Sequence, residues 1–212
     1  MVIEKALRGY SHVPIQRHLL LKVLKDYKRP NDKISDMIKK GELVALKRGL
    51  YIPGKAIDLI QPSSFIIANH LYGPSYISLE SALSQWGLIP EKVVEVSSVT
   101  TKTKKTFYTP VGRFSYHHLP LPYYSFGIKQ ERLIKNQHVL IASPEKAICD
   151  KIILTPKLNL RSKKQTIAFL EEDLRIDEEG LVSLDLRQID CWLKNAPKKT
   201  SLEMLIKTIS SL

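Results

Sequence analysis

The sequence has little cysteine. Its 212 residues include two, Cys149 and Cys191, far apart and without CxxC or finger spacing. No disulfide scaffold or zinc module follows from them. Reduced thiols and a cytoplasmic location are the expectation, with both cysteines read as packing residues. Long apolar runs are also lacking. The densest stretch, Leu19 to Leu24, is interrupted by Lys22, well short of the ~18 apolar residues of a membrane span. Met1 to Lys5 carries an acid at Glu4 and no signal-peptide core. A membrane partner is therefore not expected. The motifs GxSxG, HExxH, GxxxxGKS/T and GxGxxG do not occur, so the sequence predicts no enzyme, no cofactor and no metal.

Acidic residues are the other scarcity. There are 21 Asp+Glu against 33 Lys+Arg, a formal charge of +12. Hydrophobic residues make up 43% and charged residues 25%, as in an ordinary globular chain. The excess is concentrated: residues 1–55 carry +8 and the remainder +4. Such asymmetry points to a basic module with a polyanion partner, nucleic acid first. The polar stretch Gln61-Pro62-Ser63-Ser64 marks its end. The predicted organisation is a domain over 1–58 and a second over 62–212.

In the first module Pro14 suits a first helical turn. Leu20, Leu24 and Tyr27 share one face of a helix that Pro30 breaks. Asn31 or Asp32 is placed to cap a second helix, with Ile34, Met37 and Ile38 inward and Gly41 just past its end. Leu43 to Ile52 then reads as a β-hairpin turning at Lys47-Arg48-Gly49. A basic helix followed by a cation-tipped hairpin has the form of a reduced winged helix-turn-helix. Only Lys28 to Pro30 separate the helices, so the usual middle helix is missing or reduced. In this reading Lys33, Ser35, Lys39 and Lys40 face a DNA groove. Lys47 and Arg48 form the wing contact, and Arg29 and Asn31 touch the backbone at the helix start.

The second part reads as α+β. Helices are predicted over 62–71 and from Ser78 to Trp86, then strands over 93–99, 106–109, 113–118 and 139–142 in an antiparallel sheet. Ser143-Pro144-Glu145 opens a helix with a cap, a first-turn proline and an acid at the positive dipole end. Helices near 162–173, 186–194 and 200–211 make a helical C-terminus. His117 and His118 adjoin in a strand and point to opposite faces, so they cannot chelate one metal. Lys102, Lys104, Lys105 and Arg113 form a second basic cluster. It reads as a solvated edge that discourages strand pairing, or as an auxiliary nucleic-acid surface.

Three blocks together resemble a known family. Lys47-Arg48-Gly49-Leu50-Tyr51 is similar to the "rGlY" wing of AbiEi-type antitoxins. Tyr76-Ile77-Ser78-Leu79-Glu80-Ser81-Ala82-Leu83, with Trp86-Gly87-Leu88, resembles the family's next block. Ala142-Ser143-Pro144-Glu145-Lys146-Ala147-Ile148-Cys149-Asp150 resembles its "aSPEKAlcD" helix. The resemblance implies an antitoxin of a type IV, abortive-infection toxin–antitoxin system. It implies an N-terminal winged helix that binds inverted repeats in double-stranded promoter DNA and represses the operon. The implied toxin is nucleotidyltransferase-like, countered without a tight complex. Inverted-repeat binding needs two protomers on DNA, whether the chain is a monomer in solution or not. Two alternatives stand beside this reading. One is a metal-dependent nuclease using Glu80, Glu95 and Lys102. The other is a winged-helix regulator whose second domain senses a ligand.

Overall fold

The computed structural model describes residues 7–91, 93–133 and 137–212, and the stretch Met1 to Lys5 lies outside them. In the N-terminal unit a strand that the sequence reading missed, β1 (Ile15–Gln16), leads directly into α1 (Arg17–Val23). The second helix, α2 (Pro30–Lys39), has Arg29 at its N-cap and Pro30 in its first turn. Pro30 therefore starts this helix, because its fixed φ suits a first turn and its missing N–H costs nothing there. Neither Asn31 nor Asp32 is the cap. Ile34 and Met37 are buried, whereas Ile38 is 36% exposed.

Gly41, at φ +71°, turns the chain into the hairpin of β2 (Leu43–Lys47) and β3 (Leu50–Pro53). Gly49 sits at φ +82° in the two-residue turn, a conformation that favours glycine. β1 pairs antiparallel with β3, giving a three-stranded sheet in the order β1-β3-β2. Leu20, Leu24, Ile34, Met37 and Leu43 form a small separate core with Ile15. The hairpin's other apolar residues, Leu46, Leu50 and Ile52, belong instead to the large core of the rest of the chain. The hairpin thus bridges two cores.

The second part is mixed α+β. It contains α3 (Ser64–Leu71), β4 (Ser75–Ile77), α4 (Leu79–Gln85), β5 (Val96–Thr100), β6 (Lys105–Thr109) and β7 (Gly112–His118). After these come β8 (Ile128–Leu133), β9 (Gln137–Ala142) and α5 (Pro144–Leu154). The six strands lie in the order β6-β7-β5-β4-β9-β8. The sheet is mixed, not antiparallel: β4 runs parallel to β9 and β5 parallel to β7. The chain makes both parallel pairs by passing through other elements, β6 between β5 and β7, and α4 through β8 between β4 and β9.

Register fixes the two faces. Phe114 and Tyr116 point toward α3, where the Tyr116 hydroxyl donates to the Ala68 carbonyl at 2.7 Å. Tyr76, Val99 and His117 lie in register on the opposite face, toward α4 and α5. The C-terminal region is helical: α6 (Lys163–Ile167), a π-helical turn (Ala168–Asp173), α7 (Glu178–Val182), α8 (Leu186–Trp192) and α9 (Lys199–Ile209).

Candidate functional site

The cations proposed for the groove are on one helix but differ in their freedom. Lys33 is half-buried, 3.6 Å from Asp36 and over the Tyr27 ring. Lys40 pairs with the same Asp36 at 2.9 Å. The hydrogen bond from Lys40 chiefly holds the Asp36 carboxyl below its ordinary value. Arg29 lies 3.8 Å from Asp32. Asn31 accepts a 2.8 Å hydrogen bond from Arg17, and Ser35 donates to the Asn31 carbonyl at 3.1 Å. Lys39 and Arg48 are exposed and have no ion-pair or hydrogen-bond partner among the described residues. Of the cations proposed for DNA contact in the N-terminal segment, these two are the most available to an external anion. Arg17 was not singled out from sequence; its only sequence signal was its place among the thirteen cations of the basic segment.

The second basic cluster divides between the two faces of the sheet. Lys102 and Lys105 lie on the α3 side, where Tyr116 packs edge to face with Tyr72 and Phe107, and those two rings meet at a tilt. Lys102 sits 5.3 Å over the Tyr72 ring and Lys105 sits 4.8 Å over Phe107. Lys47 reaches the same place from the hairpin. Its ammonium donates to the Leu71 carbonyl and lies 6.0 Å over Phe107. Burial, then the charges of Lys105 and Lys102, pushes the Lys47 pKa down. The hairpin lysine thus joins two members of the second cluster. Arg113 is on the opposite face, tied to Glu95 at 2.9 Å and stacked over Tyr108. Lys104 acts electrostatically on His117 of that same face.

On the His117 face, α4, β5, β7 and the end of α5 enclose a cleft of ≈ 420 Å³. Its polar lining includes Glu80, Glu95, Ser115, His117 and Lys151, with Ser97 and Thr155 beside them. Burial raises the Glu80 pKa, but the Lys151 hydrogen bond and charge and a backbone hydrogen bond outweigh it and leave the carboxyl below its ordinary value. Of the nuclease set, Glu80 and Glu95 line this cleft, each in an ion pair, whereas Lys102 is on the other side of the sheet. His117 and His118 do take opposite faces: His117 lines the cleft, and His118 contacts the Lys102 carbonyl at 3.1 Å. Cys149 is fully buried, which pushes its thiol pKa up. Cys191 is exposed, contrary to its reading as a packing residue.

The segments 76–83 and 142–150 meet through a buried polar cluster. Lys146 and Asp150, one turn apart on α5, form a solvent-free ion pair at 2.9 Å. Tyr76 and Ser78 donate to the other Asp150 oxygen at 2.9 and 2.7 Å. Lys146 also donates to the Tyr123 carbonyl at 3.1 Å and lies 3.4 Å from the Tyr123 ring centroid. Burial lowers the Lys146 pKa, and the Asp150 charge opposes that shift.

No family model matches the sequence, and no curated protein matches it. Among solved structures, the RV2827C protein from Mycobacterium tuberculosis superposes with a TM-score of 0.63 at 13% identity. The match covers 98% of this chain and 75% of that one. Identity that low shows a shared fold alone.

Proposed function

We propose that this chain is the antitoxin of a type IV, abortive-infection toxin–antitoxin system that also binds its own promoter. The N-terminal unit is read as a reduced winged helix. In that reading α2 faces the groove, and the hairpin turn brings Arg48 to the phosphate backbone. The observation that carries the DNA half is the pair of exposed, unpartnered cations, Lys39 on α2 and Arg48 at the hairpin tip. They stand on a segment that holds +8 of the chain's +12 charge. The antitoxin half rests on the resemblance of the three sequence blocks. Its partner would be a nucleotidyltransferase-like toxin, and its operator an inverted repeat occupied by two protomers.

Two experiments test the halves separately. Co-expression with the toxin encoded beside it is expected to restore growth, and failure to rescue removes the antitoxin assignment. Titration of the duplex upstream of the gene is expected to show tight, salt-sensitive binding to that sequence over a scrambled one. Equal affinity for both removes the repressor assignment.

A further inference from the structure

The cleft on the His117 face has no part in DNA binding as proposed above, yet it has the features of a built site. Ser115 is 7% exposed and lines it. Its hydroxyl has no hydrogen-bond partner among the described residues, and neither has the imidazole of His117, two residues along on the same face of β7. Ser115 is buried but its hydroxyl oxygen opens into the cleft, where water or a ligand can supply the partner. Leu79, on the wall, holds a left-handed φ of 54°, strain of a kind that collects at ligand sites. The volume of ≈ 420 Å³ lies in the range of about 300–1,000 Å³ typical of small-molecule sites.

The lining selects among ligands. Leu79, Val93, Leu154 and Pro156 offer apolar walls to a flat ring. The Ser115 hydroxyl and a neutral His117 each present one donor and at least one acceptor. Glu80 uses Oε1 on Lys151, and Glu95 uses Oε2 on Arg113. Each carboxylate keeps lone pairs that can accept an N–H, although Glu80 also takes a backbone hydrogen bond. Lys151 and Arg113 offset the two carboxylates, so the wall has no cation left over for a phosphate, while the carboxylate lone pairs can still accept from an amine edge.

We propose that this cleft binds a nucleoside whose base carries an exocyclic amine, with Ser115 and His117 reading the ring edge and Glu80 or Glu95 accepting from the amine. The site is independent of the DNA-binding reading and stands or falls without it.

The test is a titration of the intact chain with cytidine, adenosine, guanosine and uridine, followed by protein-observed NMR. At least one amino-bearing nucleoside is expected to give saturable shifts centred on Ser115, His117 and Leu79, with uridine markedly weaker. Ser115→Val is expected to weaken that binding about tenfold through the lost hydrogen bond. His117→Leu provides a second variant at a half-buried position, should Ser115→Val fold poorly. Absence of saturable shifts with all four nucleosides overturns the proposal. So does equal binding of uridine, or parental affinity in a folded variant.

Discussion

Ser78 Oγ donates to Asp150 Oδ2 across 2.7 Å at a point where both residues are fully buried. Ser78 occupies the N-cap position of α4, yet its hydroxyl makes no capping bond. The demand of a buried carboxylate outweighs an unfilled helix cap, because an ionised acceptor gains more from a donor than a neutral amide does from an acceptor. The bond joins β4 and α4 to α5, and the Glu80–Lys151 pair repeats the link nearer the surface. The sequence blocks 76–83 and 142–150 are therefore a mutual fastening of two helices and the sheet.

Removing Asp150 should show how strongly that fastening holds. Asp150→Ala leaves Lys146 buried opposite an empty space and frees the hydroxyls of Tyr76 and Ser78. Breaking one side of such a pair costs about 3–5 kcal/mol. Replacing both partners, Lys146→Met with Asp150→Leu, is expected to recover part of the loss. Urea denaturation midpoints of the three proteins measure it. A loss under about 1 kcal/mol in the single variant, below the range for a buried charge left unpaired, sinks this account.

The sequence revealed elements whose signals are local. Ser143 caps α5 through the Lys146 amide, with Pro144 in the first turn, as its residues require. The hairpin around Arg48-Gly49 and the helix ending at Leu71 were equally legible. β1, β4 and β8 were not. β4 is three residues, all buried, held between β5 and β9. So short a strand has no period to read, and its existence depends on neighbours distant in sequence. β8, with Lys129, Gln130, Glu131 and Arg132, is a polar edge strand defined by pairing to β9. Cation identity was legible but cation grouping was not: only the folded sheet sets Lys47 beside Lys105 and sends Arg113 to the other side.

Gly127 shows a constraint that composition hides. It has φ +61°, and a Cβ there would lie 2.7 Å from the Trp192 ring and 2.8 Å from Lys146 Cβ. Gly127→Ala combines a strained backbone with overpacking and is expected to cost about 2–4 kcal/mol. Gly87→Ala is the control: φ is +71° but nothing lies within 4 Å, so only the backbone penalty of about 1–2 kcal/mol applies. Equal losses for the two, read from urea midpoints, would show that Trp192 gives way freely.

His117 makes stability depend on pH in a definite direction. Burial, then the Lys104 charge, lowers its pKa below 6.5, while Glu80 and Glu95 pull weakly the other way. As pH falls, the unfolded chain takes the proton first, so stability rises with pH through this window. The contribution is complete above about 6.5, the ordinary imidazole value, and is lost as pH falls through the lower folded value. His117→Asn should therefore lose less stability than the parent between pH 7 and pH 5. Parallel curves for the two proteins contradict it.

The hairpin and the α3 side of the sheet meet at Lys47, which extends the proposed interface beyond the N-terminal unit. A duplex lying along α2 and the hairpin tip would then reach Lys105 but not Arg113, which faces away and is held by Glu95. Each phosphate contact contributes about −0.9 to the slope of log affinity against log salt. Arg48→Ala and Lys105→Ala are each expected to reduce the slope by about that amount, additively in the double variant. Arg113→Ala should leave it unchanged. Lys47→Ala is less informative, since its ammonium also holds the Leu71 carbonyl and its loss loosens the hairpin. Fluorescence anisotropy on the upstream duplex at four or more salt concentrations gives the slopes. A parental slope for Lys105→Ala alongside a reduced one for Arg48→Ala would confine the interface to the N-terminal unit. A parental slope for Arg48→Ala would remove the hairpin from it altogether.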